Sequence, residues 1–312
     1  MIQSVKLIPR LLVCCLTFSI GVAVKRLLIL PDYPPISKLN YIQPALPSPS
    51  QVEPVQQPID PEILDTFFKG DELLYHGYQI RRRFKTVIID DDPTRPLRVE
   101  ISYAQLTRNN KVLATFDDGV YQPTGNITEF GLFQLLNNGS KQLVVQQLAW
   151  RSGRQWVVQL LPTFKILYDS ATWHTSQEYI RVVDLNGDRN YEIIQQSNCF
   201  FSFVDTLAPV SIPRPRVVFR YDAKSKEFLP ANLVFADYLL RDVIKEHRTL
   251  IEKPQPLMLH EVLPVAIDYM YAGRRREGWA LFERLYRFDD KAKTKNRLKA
   301  ILRVEPVYNY IH

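Results

Sequence analysis

The chain has 312 residues, 46% hydrophobic and 23% charged, a composition that builds a folded core and excludes a mainly disordered protein. Its formal net charge is +7, and its 11 glycines include no phosphate-cradling loop. The histidines never fall as H-x-H or H-E-x-x-H and no G-x-S-x-G elbow occurs, so neither a helix-borne zinc site nor an α/β-hydrolase nucleophile is encoded.

Residues 1–30 read as a signal peptide or signal anchor. Lys6 and Arg10 make a positive first region, Leu11 to Ile20 is apolar or small, and Gly21-Val22-Ala23 offers the small residues of a cleavage site. Lys25 and Arg26 interrupt the run short of the ~20 residues of a full span. Cys14 and Cys15 raise a lipoprotein reading, but Val13 stands where a lipobox wants Gly, Ala or Ser. Each reading puts the rest of the chain outside the cytoplasm, in a bacterial periplasm or cell envelope or in the extracellular space. An uncleaved segment 11–24 would hold it to the membrane. With two of the three cysteines in this segment, Cys199 is left alone, in an apolar, strand-like run that suits a buried inert thiol.

Residues 31–65 form a Pro-rich linker, with nine of the chain's 22 prolines between Pro31 and Pro61. Such a segment is extended and buries little, which makes it a spacer.

Residues 66–232 carry strand patterns. Tyr78–Ile89 is the first, followed by Leu97–Leu106 and Val112–Phe116 joined by an Asn109-Asn110 turn. Leu132–Gln147 contains Asn137-Asn138-Gly139 and then Leu143-Val-Val-Gln-Gln147. Gln155–Leu161 and Phe164–Tyr168 predict another hairpin, and Val217–Tyr221 with Glu227–Leu229 close the region. Between them lies Ile180-Arg-Val-Val-Asp184-Leu-Asn186-Gly187-Asp188-Arg-Asn190-Tyr-Glu192-Ile-Ile-Gln-Gln196. Asp184, Asn186 and Asp188 occupy positions 1, 3 and 5 of a nine-residue loop, the Asn190 carbonyl position 7 and Glu192 position 9. A hard cation such as Ca²⁺ takes about six to eight oxygens of these kinds, which makes Asp184, Asn186, Asp188, Asn190 and Glu192 a candidate metal set. The same residues also suit a plain acidic hairpin turn.

This loop with its β-branched flanks resembles the calcium loops of FG-GAP/VCBS-type β repeats, the family of integrin-α-like propeller blades. The family pattern is roughly D-x-D/N-x-D-G-x-x-D/E; Arg189 stands where a glycine is usual. The resemblance implies structural Ca²⁺. Asn-Gly, an apolar run and Gln-Gln also occur about 49 residues earlier, without acids in the loop, which is a repeat spacing. The region has room for about three or four four-stranded units, fewer than most propellers hold. The expected fold is therefore α+β: a mainly antiparallel β domain, sandwich or partial propeller-like stack, followed by a C-terminal helical region at 233–312.

That helical region shows apolar residues at helical spacing over Leu233–Ile251, Leu257–Ala272, Glu277–Phe288 and about Asp290 to Arg303. The middle pair, Tyr269-Met-Tyr-Ala-Gly273-Arg-Arg-Arg-Glu277-Gly278-Trp279, resembles one tetratricopeptide helical hairpin, with Gly278 where the family has a small Ala. One such unit is not an array, so a helical cap on the β domain is the plainer account.

Basic residues cluster at Arg81–Lys85, Arg274–Arg276 and Lys291–Lys299. Such clusters serve anionic lipid, polysaccharide or nucleic acid, and outside the cytoplasm nucleic acid is set aside. A solvated face with Glu277, Glu283, Asp289 and Asp290 as partners explains them equally. Two functions compete. One is a non-enzymatic envelope protein that binds or scaffolds, with an envelope protein or polysaccharide as partner. The other is a hydrolase of envelope or extracellular polymers whose carboxylates the sequence does not mark. Trp173-His174, beside the loop, is either part of a site or a packed aromatic edge.

Overall fold

In the computed structural model, residues 62–63, 70–89, 97–119, 126–149, 152–176, 180–205, 207–208, 211–254 and 256–312 are described. The signal segment and nearly all of the linker therefore lie outside the described residues. The first short strand, β1 (Glu62–Ile63), pairs antiparallel with β10 (Arg181–Val183), so two residues near the end of the linker belong to a sheet.

The β region is three antiparallel sheets laid down in chain order. The first has the order β2 (Glu72–Tyr75), β3 (Tyr78–Ile89), β4 (Leu97–Arg108), β5 (Lys111–Phe116). The second is β6 (Ile127–Phe133), β7 (Gln142–Ala149), β8 (Ser152–Gln159), β9 (Lys165–Asp169). The third runs β1, β10, β11 (Glu192–Gln196), β12 (Arg216–Asp222), β13 (Glu227–Pro230). The first two sheets, and β10–β13 of the third, are meanders of hairpins, the topology that needs no crossover; among the described strands only β1 joins its sheet from a distant part of the chain. The described strands form no closed barrel.

Strand periodicity shows how the sheets stack, because paired residues share a face. The pairs Val145↔Trp156 and Leu143↔Val158 alternate with Val144↔Val157. Leu143, Val145, Trp156 and Val158 pack in one core with Ile80, Leu106 and Phe116 of the first sheet. Val144 and Val157 pack in another with Val182, Ile193 and Phe219 of the third. The second sheet is thus covered on both faces, which is why Gln142-Leu-Val-Val-Gln-Gln147 is a continuous buried run instead of alternating. The buried glutamines need partners there: Gln142 accepts the N–H groups of Leu135 and Leu136 at 2.9 and 3.2 Å, and Gln147 donates to the Ser102 carbonyl at 2.7 Å.

Helices follow: α1 (Ala236–Glu252), α2 (Leu259–Tyr271), α3 (Arg275–Leu285), α4 (Lys291–Val304) and α5 (Pro306–Ile311). None among the described residues is long and apolar enough to cross a membrane. The helix α2 ends in a left-handed Gly273 (φ 83°), with Gly273 N–H donating to Met270 O and Arg274 N–H to Tyr269 O, a Schellman closure. The tetratricopeptide-like pair is present as α2 and α3, and Gly278 is explained by contact. A Cβ there would stand 2.5 Å from the Ala266 carbonyl oxygen and 2.7 Å from Met270 Cγ, so this crossing is too close even for Ala. Asn232, fully buried, holds the helices to the third sheet: it accepts Val218 N–H at 2.9 Å and donates to the carbonyls of Tyr271 and Arg216 at 2.9 and 3.2 Å.

Two elements differ from the expectation. Cys199–Asp205 is a 3₁₀ helix, not a strand, since an apolar aromatic run has no period to distinguish the two. A last helix, α5, is added after Glu305, which caps it by accepting Tyr308 N–H, with Pro306 in the first turn.

Candidate metal loop

The loop at 184–191 joins β10 to β11, and its flanks form strands because Val182, Val183, Ile193 and Ile194 bury on the two faces of the third sheet. Its oxygens turn inward on its own backbone. Asp184 accepts from Gly187 N–H at 2.8 Å and Arg189 N–H at 3.0 Å, Asn186 from Asp188 N–H at 3.2 Å, and Asp188 from Asn190 N–H at 2.7 Å. The Asn186 amide donates to Asp188 at 2.9 Å. These side-chain turns let the chain bend twice, at Gly187 (φ 74°) and at Arg189 (φ 63°). Arg189, the departure from the family pattern, adopts the left-handed conformation that a glycine supplies more easily.

Two groups outside the loop complete it, and sequence reasoning missed both. Asn137, in the turn between β6 and β7, donates its backbone N–H to Asn190 Oδ1 at 2.9 Å. Beside it Tyr191 N–H donates to Leu135 O at 2.8 Å, so the two Asn-Gly turns of adjacent sheets lock together. From β12, Arg220 brings its guanidinium to 3.4 Å from Asp188 Oδ2 and 4.0 Å from Glu192 Oε1. The alternation of Val217-Val-Phe-Arg220 places that arginine on a face, but nothing in the sequence says which loop it meets.

Glu192 is the unusual member. Its side chain is 1% exposed, Oε2 accepts Leu185 N–H at 2.9 Å, and Oε1 has no hydrogen-bond partner. Burial raises its carboxyl to about 7; the charge of Asp188 adds to the rise, while Leu185 N–H and Arg220 oppose it. Asp188 moves the other way: its burial is outweighed by the Asn190 and Asn186 donors and by Arg220, and the net shift is downward.

The donor chemistry fits a hard cation. All five groups are oxygen donors, each carboxylate oxygen bonded to an N–H keeps a further lone pair, and the buried Glu192 Oε1 lacks a counter-donor. The described residues do not, however, gather three acidic, His or Cys side chains into one ligand group, and Arg220 already brings a positive charge beside Asp188 and Glu192.

The other sequence candidates fall elsewhere. Trp173 packs against Phe219 and Tyr310 at ring distances of 5.9 and 5.5 Å, and His174 (φ 49°) closes the 3₁₀ turn Ser170–Trp173. Cys199 is hydrogen-bonded to Ser197 and Tyr271 at 3.3 Å each, and burial pushes its thiol up to about 12. A cavity of about 370 Å³ between α1 and α2 holds Glu246, His260 and Glu261. Glu261 is committed there: it accepts Lys253 Nζ at 2.8 Å and Met258 N–H at 3.0 Å as the cap of α2. Compared with protein-family models, curated proteins and solved structures, the chain finds no match.

Proposed function

We propose that this chain is an exported, envelope-located binding or scaffolding protein whose three-sheet stack is braced by the 184–192 loop, with Ca²⁺ as that loop's structural ion. The observation that carries the reading is the buried Glu192 Oε1, which has no hydrogen bond and only Arg220 at 4.0 Å, in a loop that also bonds the neighbouring sheet through Asn190. Asp184, Asn186, Asp188, the Asn190 carbonyl and Glu192 would hold the ion, which supplies positive charge to carboxylates that otherwise have only Arg220. The residues themselves do structural work: they cap the loop's N–H groups and hold the second and third sheets in register. Export is supported by the Lys6/Arg10 region with its apolar run and Gly21-Val22-Ala23, and distance from a membrane by the proline-rich linker.

The test is cell fractionation followed by pull-down from envelope extracts, with and without chelator. The expected result is protein in the envelope or outside the cell, with partners retained in calcium and reduced in chelator. Full-length protein free in the cytosol would overturn the compartment, and an identical partner set in both buffers would overturn calcium's part in it.

A further inference from the structure

Several basic residues of the C-terminal helices are paired with carboxylates and several are not. Lys291 and Lys295 both pair with Glu283, and Arg274 with Glu277, as a solvated face predicts. Arg275, Lys299 and Arg303 make no ion pair with a carboxylate among the described residues, and all three line one cavity between α3, α4 and α5. Its volume is about 690 Å³, within the about 300–1,000 Å³ of sites that hold small molecules or short polymer segments. No Asp or Glu lines it. Three cations facing one concavity repel one another, and an anion placed between them relieves that repulsion most strongly where water is partly excluded.

The rest of the lining narrows the kind of anion. Trp279, half-buried on the core with Lys295 Nζ 5.9 Å over its ring, contributes indole surface, the buried Tyr308 closes the wall behind it, and Asn296 and Asn309 contribute amides that both donate and accept. An indole face suits the apolar C–H face of a pyranose ring, and amides suit its hydroxyls. Tyr308 is held in place by burial at 6% exposure, with the Arg275 guanidinium 5.9 Å above its ring, so the aromatic wall is preformed. Inorganic phosphate would use the cations and leave the aromatic and amide walls idle.

We propose that this cavity binds a segment of anionic polysaccharide, with Arg275, Lys299 and Arg303 taking its carboxylates or sulfates and Trp279 stacking on a sugar ring. The site deepens the binding reading above and rests on it for the source of the polymer. Two different failures keep them apart: cytosolic protein would defeat the envelope assignment alone, and absent glycan binding would defeat the cavity alone.

The experiment is calorimetric titration of the full chain with hexagalacturonate, with neutral maltohexaose, inorganic phosphate, phosphatidylglycerol vesicles and single-stranded RNA as competitors. Hexagalacturonate is expected to bind at least about tenfold more tightly than maltohexaose, and to weaken severalfold between about 50 and about 200 mM salt. The exposed pair Lys299→Gln/Arg303→Gln should weaken it about tenfold with the melting temperature unchanged, and Trp279→Phe should weaken it severalfold, with any loss of core packing read separately from its melting temperature. Removing three exposed charges elsewhere, Arg83→Gln/Lys111→Gln/Lys141→Gln, should leave affinity as it was. No binding of hexagalacturonate, equal loss in both charge variants, or full displacement by phosphate, vesicles or RNA at equal charge would each overturn the proposal.

Discussion

The side-chain oxygen of Asn190 accepts the backbone N–H of Asn137 at 2.9 Å, and this bond runs from the candidate metal loop to the equivalent turn of the next sheet. Asn190→Ala removes the acceptor without touching the Asn190 carbonyl. The expected cost is about 1 kcal/mol, a typical net hydrogen bond at a half-exposed site, read from the urea midpoint at constant slope.

Calcium should raise the melting temperature by a few degrees at millimolar concentration. A ligand bound only by the native state stabilises by about 2.7 kcal/mol at a hundredfold over Kd, and extracellular modules bind at about 10⁻⁴–10⁻³ M. Asp188→Ala should abolish the response, and Mg²⁺ should reproduce little of it. Identical melting in chelator and in about 5–10 mM calcium would leave an acidic turn with no metal.

The pH dependence has a defined sign. Glu192 titrates near 4.5 when unfolded and at about 7 when folded, so between these values the native state holds more protons. Its contribution to stability is therefore greatest below about 4.5 and declines as pH rises to about 7, the reverse of an ion-paired carboxylate. Glu192→Gln should flatten that decline in chelator. Because calcium competes with the proton at Glu192, the calcium response should be larger at pH 8 than at pH 6. A larger response at the lower pH would remove Glu192 from the ligand set.

Arg220→Gln separates the arginine from the ion. Without the guanidinium, Asp188 and Glu192 lose their nearest positive charge, and the protein in chelator should lose about 1 kcal/mol, modest because Arg220 is partly exposed. The shift on adding calcium should then exceed that of the wild type. An unchanged calcium response would show that the two cations do not share the site.

Gly278→Ala should destabilise by about 1–3 kcal/mol despite alanine's better helix propensity, because the added methyl meets the Ala266 carbonyl oxygen at 2.5 Å. A gain in thermal stability would mean that α2 and α3 separate freely.

Strand and helix limits were largely readable because the strand formers of Tyr78–Ile89 and the helical spacing over α1 are local properties. The three-sheet stack, with helices after it, agrees with the α+β expectation. The loop's own residues were also readable, since alternate oxygens at Asp184, Asn186 and Asp188 form a pattern within one turn. Arg220 and Asn137 were not, because they reach the loop through sheet pairing and stacking, which no local pattern encodes. The helix α5 escaped notice for a different reason: at six residues it shows barely two turns of periodicity, and only the Glu305-Pro306 start marks it.

The pairing of β1 with β10 bears on the order in which the chain is completed as it leaves the ribosome or a translocon. Sheets one and two each draw on one contiguous stretch, so they close as soon as that stretch emerges. Glu62 must wait for Val182. The third sheet's edge is therefore supplied by a segment made long before it, and Glu62–Ile63 have no sheet partner until more than half of the chain is out. Proteolysis of nascent chains arrested before and after residue 200 would show this as protection of Glu62–Ile63 only in the longer product.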